Sequence, residues 1–181
     1  DIKGKKIISF VGRLIDGKGV KDVLRALKDL DLDYMFVIMG DGVYRSKLEE
    51  LVKKYELSER VVFMGRVSHE RVISVLKASD IFVNPSYTEG LPTAVLDAFF
   101  SGCKIVATNV GGTFEILDKH WNSERYRLVD ARNFKQIKEA ILELFEVTPE
   151  VSEDVLKDIK SKFDWKKHAL EYDRILRGVL K

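Results

Sequence analysis

Asp80-Ile81-Phe82-Val83, the loop Asn84 to Glu89, the turn Gly90-Leu91-Pro92, the run Thr93-Ala94-Val95-Leu96-Asp97-Ala98-Phe99-Phe100-Ser101 and then Ile105-Val106-Ala107-Thr108 spell out strand, loop, helix and strand. The two outer runs are short, apolar and rich in β-branched residues, whereas the inner run is long enough and apolar enough for a buried helix. Pro92 suits the first helical turn, where its missing N–H leaves no bond unmade. On that helix Ala94, Val95, Ala98 and Phe99 form one apolar arc and Leu96 and Phe100 widen it, so most of the circumference is expected to be buried. Thr93, Asp97 and Ser101, spaced by four, form its only polar stripe. A carboxylate in such a place needs hydrogen-bond partners or a ligand, because an unpaired buried charge costs several kcal/mol in practice.

The same alternation extends to both sides. Lys6 to Val11, Tyr34 to Met39, Val61 to Met64 and Tyr126 to Val129 read as further strands. Val20 to Leu30, Tyr44 to Tyr55, His69 to Ala78 and Phe134 to Phe145 read as helices. Strand-helix alternation implies an α/β fold, a doubly wound parallel sheet of about six strands with helices on both faces. The nearly continuous apolar character of the strands fits burial on both sides. From Pro149 the pattern changes to two helical segments, Glu150 to Phe163 and Lys166 to Leu180, with Phe163-Asp164-Trp165 at the joint as a packing anchor. The expectation is one domain over residues 1–181, with 148–181 as a C-terminal helical tail that packs across the sheet layer or onto a partner.

Composition narrows the function. The 31 Lys and Arg against 29 Asp and Glu leave a net charge of +2, so no global field points to nucleic acid or to an anionic membrane surface. One cysteine, Cys103, excludes an internal disulfide framework and fits a reducing, cytoplasmic setting, with the thiol buried and inert. No long uncharged apolar run or signal-like start is present. His69, His120 and His168 lie far apart without ligand-spaced partners; they read as surface or capping residues, and no protein metal site is expected. Ser9 and Ser86 have no base placed by sequence, so no nucleophilic triad is argued.

In an open parallel sheet the chemistry belongs to the loops beyond the carboxyl ends of the strands. The first such loop, Gly12-Arg13-Leu14-Ile15-Asp16-Gly17-Lys18-Gly19, has two cations five positions apart and leads into a helix N-terminus. It is either an anion site or a glycine-rich turn with two solvated cations. It nearly matches G-x-x-x-x-G-K-[ST], but Gly19 stands where a hydroxyl would hold magnesium, which argues against a phosphate-loop hydrolase. Gly40-Asp41-Gly42 reads as a turn plus helix cap, and Ser68 as a cap. Gly111-Gly112-Thr113, before a short helical run containing Glu115, either receives an anion or turns the chain.

Taken in order, Gly12-Arg13-Leu14 with Lys18-Gly19, Gly40-Asp41-Gly42, Gly65 to Val67, Glu89-Gly90-Leu91-Pro92 through Asp97, Ser101-Gly102, and Gly111-Gly112 with Glu115-Ile116 carry a family resemblance. The chain resembles the C-terminal, donor-binding half of a retaining glycosyltransferase of family 4, whose GT-B architecture joins two Rossmann-like domains. The Phe163-Asp164-Trp165 segment is also similar to that family's C-terminal region. The resemblance implies a nucleotide diphosphate sugar as donor substrate, no cofactor, metal-independent chemistry, and an acceptor bound by an N-terminal domain that these residues do not include. It implies that Arg13 and Lys18 contact the donor diphosphate and that Glu89 faces the sugar. Gly12, Gly90, Leu91 and Thr93 would approach sugar and phosphates, and Arg66 and Val67 the base. At the second carboxylate of the family's E-x7-E motif, a ribose ligand, this chain has Asp97. One methylene fewer retracts the carboxylate by roughly 1.5 Å, leaving open a direct contact, an intervening water or a shifted helix. Such a half is expected to bind donor but to be inactive alone. The rival readings are a nucleotide-sugar epimerase, which shares the architecture, and a non-catalytic nucleotide-binding module.

Overall fold

Six strands form one parallel sheet in the order β3-β2-β1-β4-β5-β6. In this computed structural model the described residues are 4–117, 123–147 and 165–179. The strands are β1 Lys6–Val11, β2 Tyr34–Met39, β3 Val61–Gly65, β4 Ile81–Asn84, β5 Lys104–Thr108 and β6 Tyr126–Val129. The helices are α1 Val20–Leu27, α2 Arg45–Lys54, α3 His69–Lys77, α4 Thr93–Phe100, α5 Thr113–Leu117, α6 Phe134–Glu146 and α7 Trp165–Val179. The chain divides into two compact units, Asp1–Pro149 and Glu150–Lys181. The sheet and α1 to α6 belong to the first, and α7, with Arg177 bonded to Asp173 one turn earlier at 2.7 Å, to the second. The expected helix Glu150 to Phe163 and the Phe163-Asp164 part of the joint lie outside the described residues.

The sequence pattern explains the layers. Alternate strand residues Ile8, Phe10, Phe36, Ile38, Ile81, Val83 and Val106 pack in one buried cluster with Val23, Leu24 and Leu27 of α1, Leu48 of α2 and Ile137, Ile141 and Leu144 of α6. Side chains of intervening positions such as Phe82, Ile105 and Ala107 leave the strands on the opposite side and are fully buried, on the side of α3, α4 and α5. Each large apolar side chain removed from water contributes roughly 1.5–3 kcal/mol. With helices on both faces, the fold is the doubly wound α/β arrangement that the alternation predicts.

Several element boundaries differ from the sequence expectation by one to three residues. Helix α1 ends at Leu27 rather than Leu30, where the chain tightens into a turn in which the Leu27 carbonyl accepts from the Leu30 N–H at 3.1 Å and from the Tyr34 hydroxyl at 2.8 Å. Strand β4 starts at Ile81, although Asp80 still donates its N–H to the Ile7 carbonyl at 2.9 Å and accepts from the Lys104 N–H at 3.1 Å, and its carboxylate accepts from the Ile7 N–H at 2.7 Å. Helix α2 starts at Arg45, with Tyr44 as its N-cap and the free Tyr44 N–H satisfied by the Leu14 carbonyl at 2.9 Å. Pro92 occupies the N-cap of α4 rather than its first helical position.

The strand order reverses direction between β1 and β4. These neighbours are paired at Ile8 with Ile81 and Ser9 with Phe82. The loop after β1 leads toward α1 and β2, and the loop after β4 toward α4 and β5. A crevice opens at such a switch point beyond the carboxyl ends of the strands.

Candidate functional site

The loop after β1 is shaped by close backbone approaches. The Gly12 N–H donates to the Met39 carbonyl at 3.0 Å, and the Leu14 N–H to the Asp41 carbonyl at 3.0 Å. A Cβ at Gly40, where φ is +140°, would stand 1.8 Å from the Gly12 carbonyl oxygen, and one at Gly42 2.3 Å from that of Leu14. Gly40-Asp41-Gly42 is therefore a turn that clamps the first loop. It is not a helix cap, since α2 has Tyr44 at its N-cap with no side-chain bond there. Asp41 turns instead to the Gly42 N–H at 2.8 Å and the Arg45 guanidinium at 3.5 Å. At Gly19 a Cβ would meet the Pro85 carbonyl oxygen at 2.0 Å. No hydroxyl residue fits there, which gives the departure from the phosphate-loop pattern a steric cause. Ser68 does cap α3, accepting from the Arg71 N–H at 3.3 Å.

The second wall is the turn after β4. The Gly112 N–H donates to the Gly90 carbonyl at 2.7 Å, and a Cβ at Gly111 would lie 1.9 Å from the Glu89 carbonyl oxygen. The glycine pair thus buttresses the Glu89-Gly90 turn; the Gly112 amide is already committed.

Between these walls run two adjoining lobes. One, of about 310 Å³, is lined by Val11, Gly12, Arg13, Lys18, Asn84, Glu89, Leu91, Pro92, Thr93, Ala94 and Asp97. The other, of about 480 Å³, shares Val11, Gly12 and Arg13 and continues past Met39, Gly40 and Asp41 to Arg66, Val67 and Val72. Nine of the ten residues singled out from sequence line the pair, namely Gly12, Arg13, Lys18, Arg66, Val67, Glu89, Leu91, Thr93 and Asp97. Gly90 lies in the turn but not on the lining.

The side chains differ in how they are held. Lys18 Nζ sits 2.6 Å from Glu89 Oε1, with the two side chains 22% and 13% exposed. Arg13 is exposed and has no hydrogen-bond or ion-pair partner among the described residues. Asp97 is less buried than its helix suggests. Val95, Ala98 and Phe99 are buried, but Thr93 is exposed and the Asp97 side chain is 31% exposed, 3.1 Å from His69 Nε2. The apolar arc covers one side of α4 rather than most of it. His69 opens α3 and is exposed, as a surface histidine should be, and in addition it contacts Asp97.

Sequence reasoning missed Asn84 and His69. Asn84 ends β4, is 2% exposed, accepts from the Ser86 hydroxyl at 3.2 Å and leaves its Nδ2 without a partner among the described residues. A polar residue closing an apolar strand at its carboxyl end was the available signal. For His69 no local signal existed, since Asp97 lies 28 positions away. Cys103 is fully buried away from this groove, its thiol donates to the Leu76 carbonyl, and burial pushes its pKa up to about 12, as befits an inert thiol. No helix of the described residues is long and apolar enough to cross a membrane.

Comparison with known proteins agrees with this geometry. An uncharacterised glycosyltransferase of Methanocaldococcus jannaschii is 33% identical over 186 residues, a span covering 98% of this chain and 46% of that protein. The chain thus spans about half the length of this relative. Among solved structures, HepE of Anabaena, in complex with UDP and glucose, superposes with a TM-score of 0.87 at 18% identity, over 97% of this chain and 49% of HepE. The C-terminal domain of the glycosyl transferase group 1 family protein LpcC from Francisella tularensis superposes with a TM-score of 0.71 at 25% identity, over 88% of this chain and 86% of that one. Residues 1–160 match the family described as Glycosyl transferases group 1. Fold, loop order and sequence similarity converge on one assignment: the chain belongs to the glycosyl transferases group 1 family.

Proposed function

We propose that this chain is the donor-binding half of a retaining glycosyltransferase that takes a sugar from a nucleoside diphosphate sugar. The observation that carries the proposal is the gathering of two cations and two carboxylates, Arg13 and Lys18 with Glu89 and Asp97, into one groove at the switch point of the sheet. Cations suit the diphosphate and carboxylates the hydroxyls of sugar and ribose. The adjoining lobe, with Val67 and Val72 on its lining, offers an apolar surface for the base. The complex of HepE with UDP and glucose supports the same ligand class.

The chemical service follows from charge. Breaking the bond between the anomeric carbon and the diphosphate leaves negative charge on the departing group, and fixed cations placed there lower the barrier more than they stabilise the bound donor. Arg13 and Lys18 would supply the charge that a divalent ion supplies elsewhere, so a chelator should leave transfer unchanged. Glu89 orients the sugar, Asp97 the ribose, and the first turn of α4 brings Thr93 to the same lobe. A second domain supplies the acceptor, and the working compartment is the cytoplasm. By itself the chain binds donor and does not turn over; sustained transfer by these 181 residues alone would defeat that part of the reading.

The test is calorimetry with UDP, GDP and ADP, their sugar conjugates and the free nucleosides. A diphosphate should bind far more tightly than its nucleoside, and Lys18→Ala should remove most of that difference. Equal losses for nucleoside and diphosphate would take Lys18 out of the phosphate site, and no binding at millimolar concentration by folded protein would favour a non-catalytic module.

A further inference from the structure

The two cations of the groove are not equivalent. Arg13 has no partner to give up, whereas Lys18 is 2.6 Å from Glu89, and Glu89 has no other side-chain partner among the described residues. Drawing the Lys18 ammonium toward a phosphate leaves a carboxylate that is only 13% exposed without its counter-ion. Sugar hydroxyls can replace the lost ammonium, because each donates a hydrogen bond to a carboxylate oxygen. A free nucleoside diphosphate has no such hydroxyl near Glu89. Asn84, nine-tenths buried, is also on the lining of the same lobe, and its Nδ2 has no hydrogen-bond partner among the described residues.

We propose that the Lys18–Glu89 pair makes the site discriminate intact donor from the nucleoside diphosphate left after transfer. This inference rests on the donor-site reading above and adds to it a selectivity device. With the whole donor bound, both halves of the broken pair are satisfied, Lys18 by phosphate and Glu89 by hydroxyls. With the diphosphate alone, Lys18 is pulled two ways and the pair reforms at the expense of the ligand. The pair therefore lowers product affinity and favours product release, while Arg13 holds phosphate equally in both complexes. Glu89 acts here as a specificity-determining residue through Lys18, in addition to any contact with the sugar.

The experiment is calorimetry on the whole chain, wild type and Glu89→Gln, with UDP and UDP-glucose, GDP and GDP-mannose, and ADP and ADP-glucose, read on whichever pair binds wild type. Glu89→Gln should bind the free diphosphate several-fold more tightly and the conjugate more weakly, so that the preference for conjugate over diphosphate falls by about tenfold or more. An unchanged preference, or a diphosphate bound more weakly by the variant, overturns the inference. Glu89→Ala provides the same reading should the amide disturb the turn, and it must show the same sign. Lys18→Ala separates the two levels. If it loses diphosphate affinity while Glu89→Gln leaves that affinity unchanged, the coupling alone falls; if it treats nucleoside and diphosphate alike, the phosphate site falls and the coupling with it.

Discussion

The two walls of the groove are built differently. The Gly12 to Gly19 loop is fixed through its backbone: Gly12 and Leu14 donate to Met39 and Asp41, Leu14 accepts from Tyr44, and Gly17 accepts from Tyr87. Leu14 is fully buried beneath it. The Glu89 to Pro92 turn is held to its neighbour by the Gly112–Gly90 bond, the close approach of Gly111, and the Lys18–Glu89 pair. Gly90 is exposed and Leu91 is 48% exposed. The first wall, proposed to face phosphate, is thus positioned by main-chain geometry, whereas the second, proposed to face the sugar, adds to its main-chain buttress the Lys18–Glu89 side-chain pair that a ligand would replace. A diphosphate is common to all nucleotide donors and tolerates a rigid receptor, whereas sugars differ and call for an adjustable one.

The largest effect should come from breaking the rigid wall. Gly40→Ala places a Cβ 1.8 Å from the Gly12 carbonyl oxygen at a φ of +140°, a conformation closed to L side chains. Neither backbone can yield without loss of the bonds above, so thermal or chemical denaturation should show a loss of about 3 kcal/mol or more. Gly90→Ala, on the other wall, meets nothing within 4 Å and should stay within about 0.5 kcal/mol of wild type. Similar losses at the two positions would erase the contrast between the walls.

Lys18→Ala is next and acts on binding rather than on folding. On the proposed reading it removes a charge-assisted contact to phosphate and leaves Glu89 to repel the same group, so diphosphate affinity should fall about 10- to 100-fold. Titration with nucleoside as the control should show almost no change.

The legibility of these features follows from where their causes lie. The strands were readable because burial on both faces makes them apolar throughout, as in Tyr34–Met39. Exact element limits were not, since they are set by bonds to groups outside the local run, such as Tyr34 to the Leu27 carbonyl and Asp80 to Ile7. Arg13, Lys18 and Glu89 stood out as charges in loops after strands, and the fold delivers them to one groove. The pairing of Lys18 with Glu89, 71 positions apart, and of Asp97 with His69 arises only from tertiary placement. Gly111-Gly112 could be an anion nest or a turn in sequence, and becomes a buttress only once Glu89 and Gly90 are seen against it. The lobe proposed for the base is lined largely by small, apolar and backbone groups, so base choice would leave little trace in residue type.

Tyr87 joins the rigid wall to α1. Its hydroxyl donates to Asp22 at 2.6 Å, and Lys21 and Arg132 lie over its ring at 5.6 and 4.5 Å. Burial, followed by the Asp22 contact, raises the phenol from its ordinary 10.0 to about 12. Between those values the unfolded chain gives up the proton while the folded chain keeps it, so this contribution to stability is complete below pH 10 and is lost as pH rises toward 12. Tyr87→Phe keeps the ring and removes the hydroxyl. It should cost about 1 kcal/mol at neutral pH, and the gap to wild type should narrow in denaturation measurements as pH rises above 10. A gap independent of pH would place the effect in ring packing instead.

The smallest effect probes whether the adjustable character extends to Asp97. His69 Nε2 lies 3.1 Å from Asp97 Oδ2, but the His69 side chain is 71% exposed, so the pair is well screened by water. On the proposed reading its worth is positional: the imidazole steadies a carboxylate one methylene shorter than glutamate. His69→Ala should leave folding unchanged and lower UDP affinity by only about two- to fivefold. The discriminating measurement is the ratio of affinities for UDP and 2′-deoxy-UDP. If Asp97 holds the ribose hydroxyl and His69 steadies it, the variant loses affinity for UDP while 2′-deoxy-UDP is little affected, and the ratio moves toward one. If both ligands weaken equally, His69 acts on the shape of the groove, and the ribose contact belongs to another group.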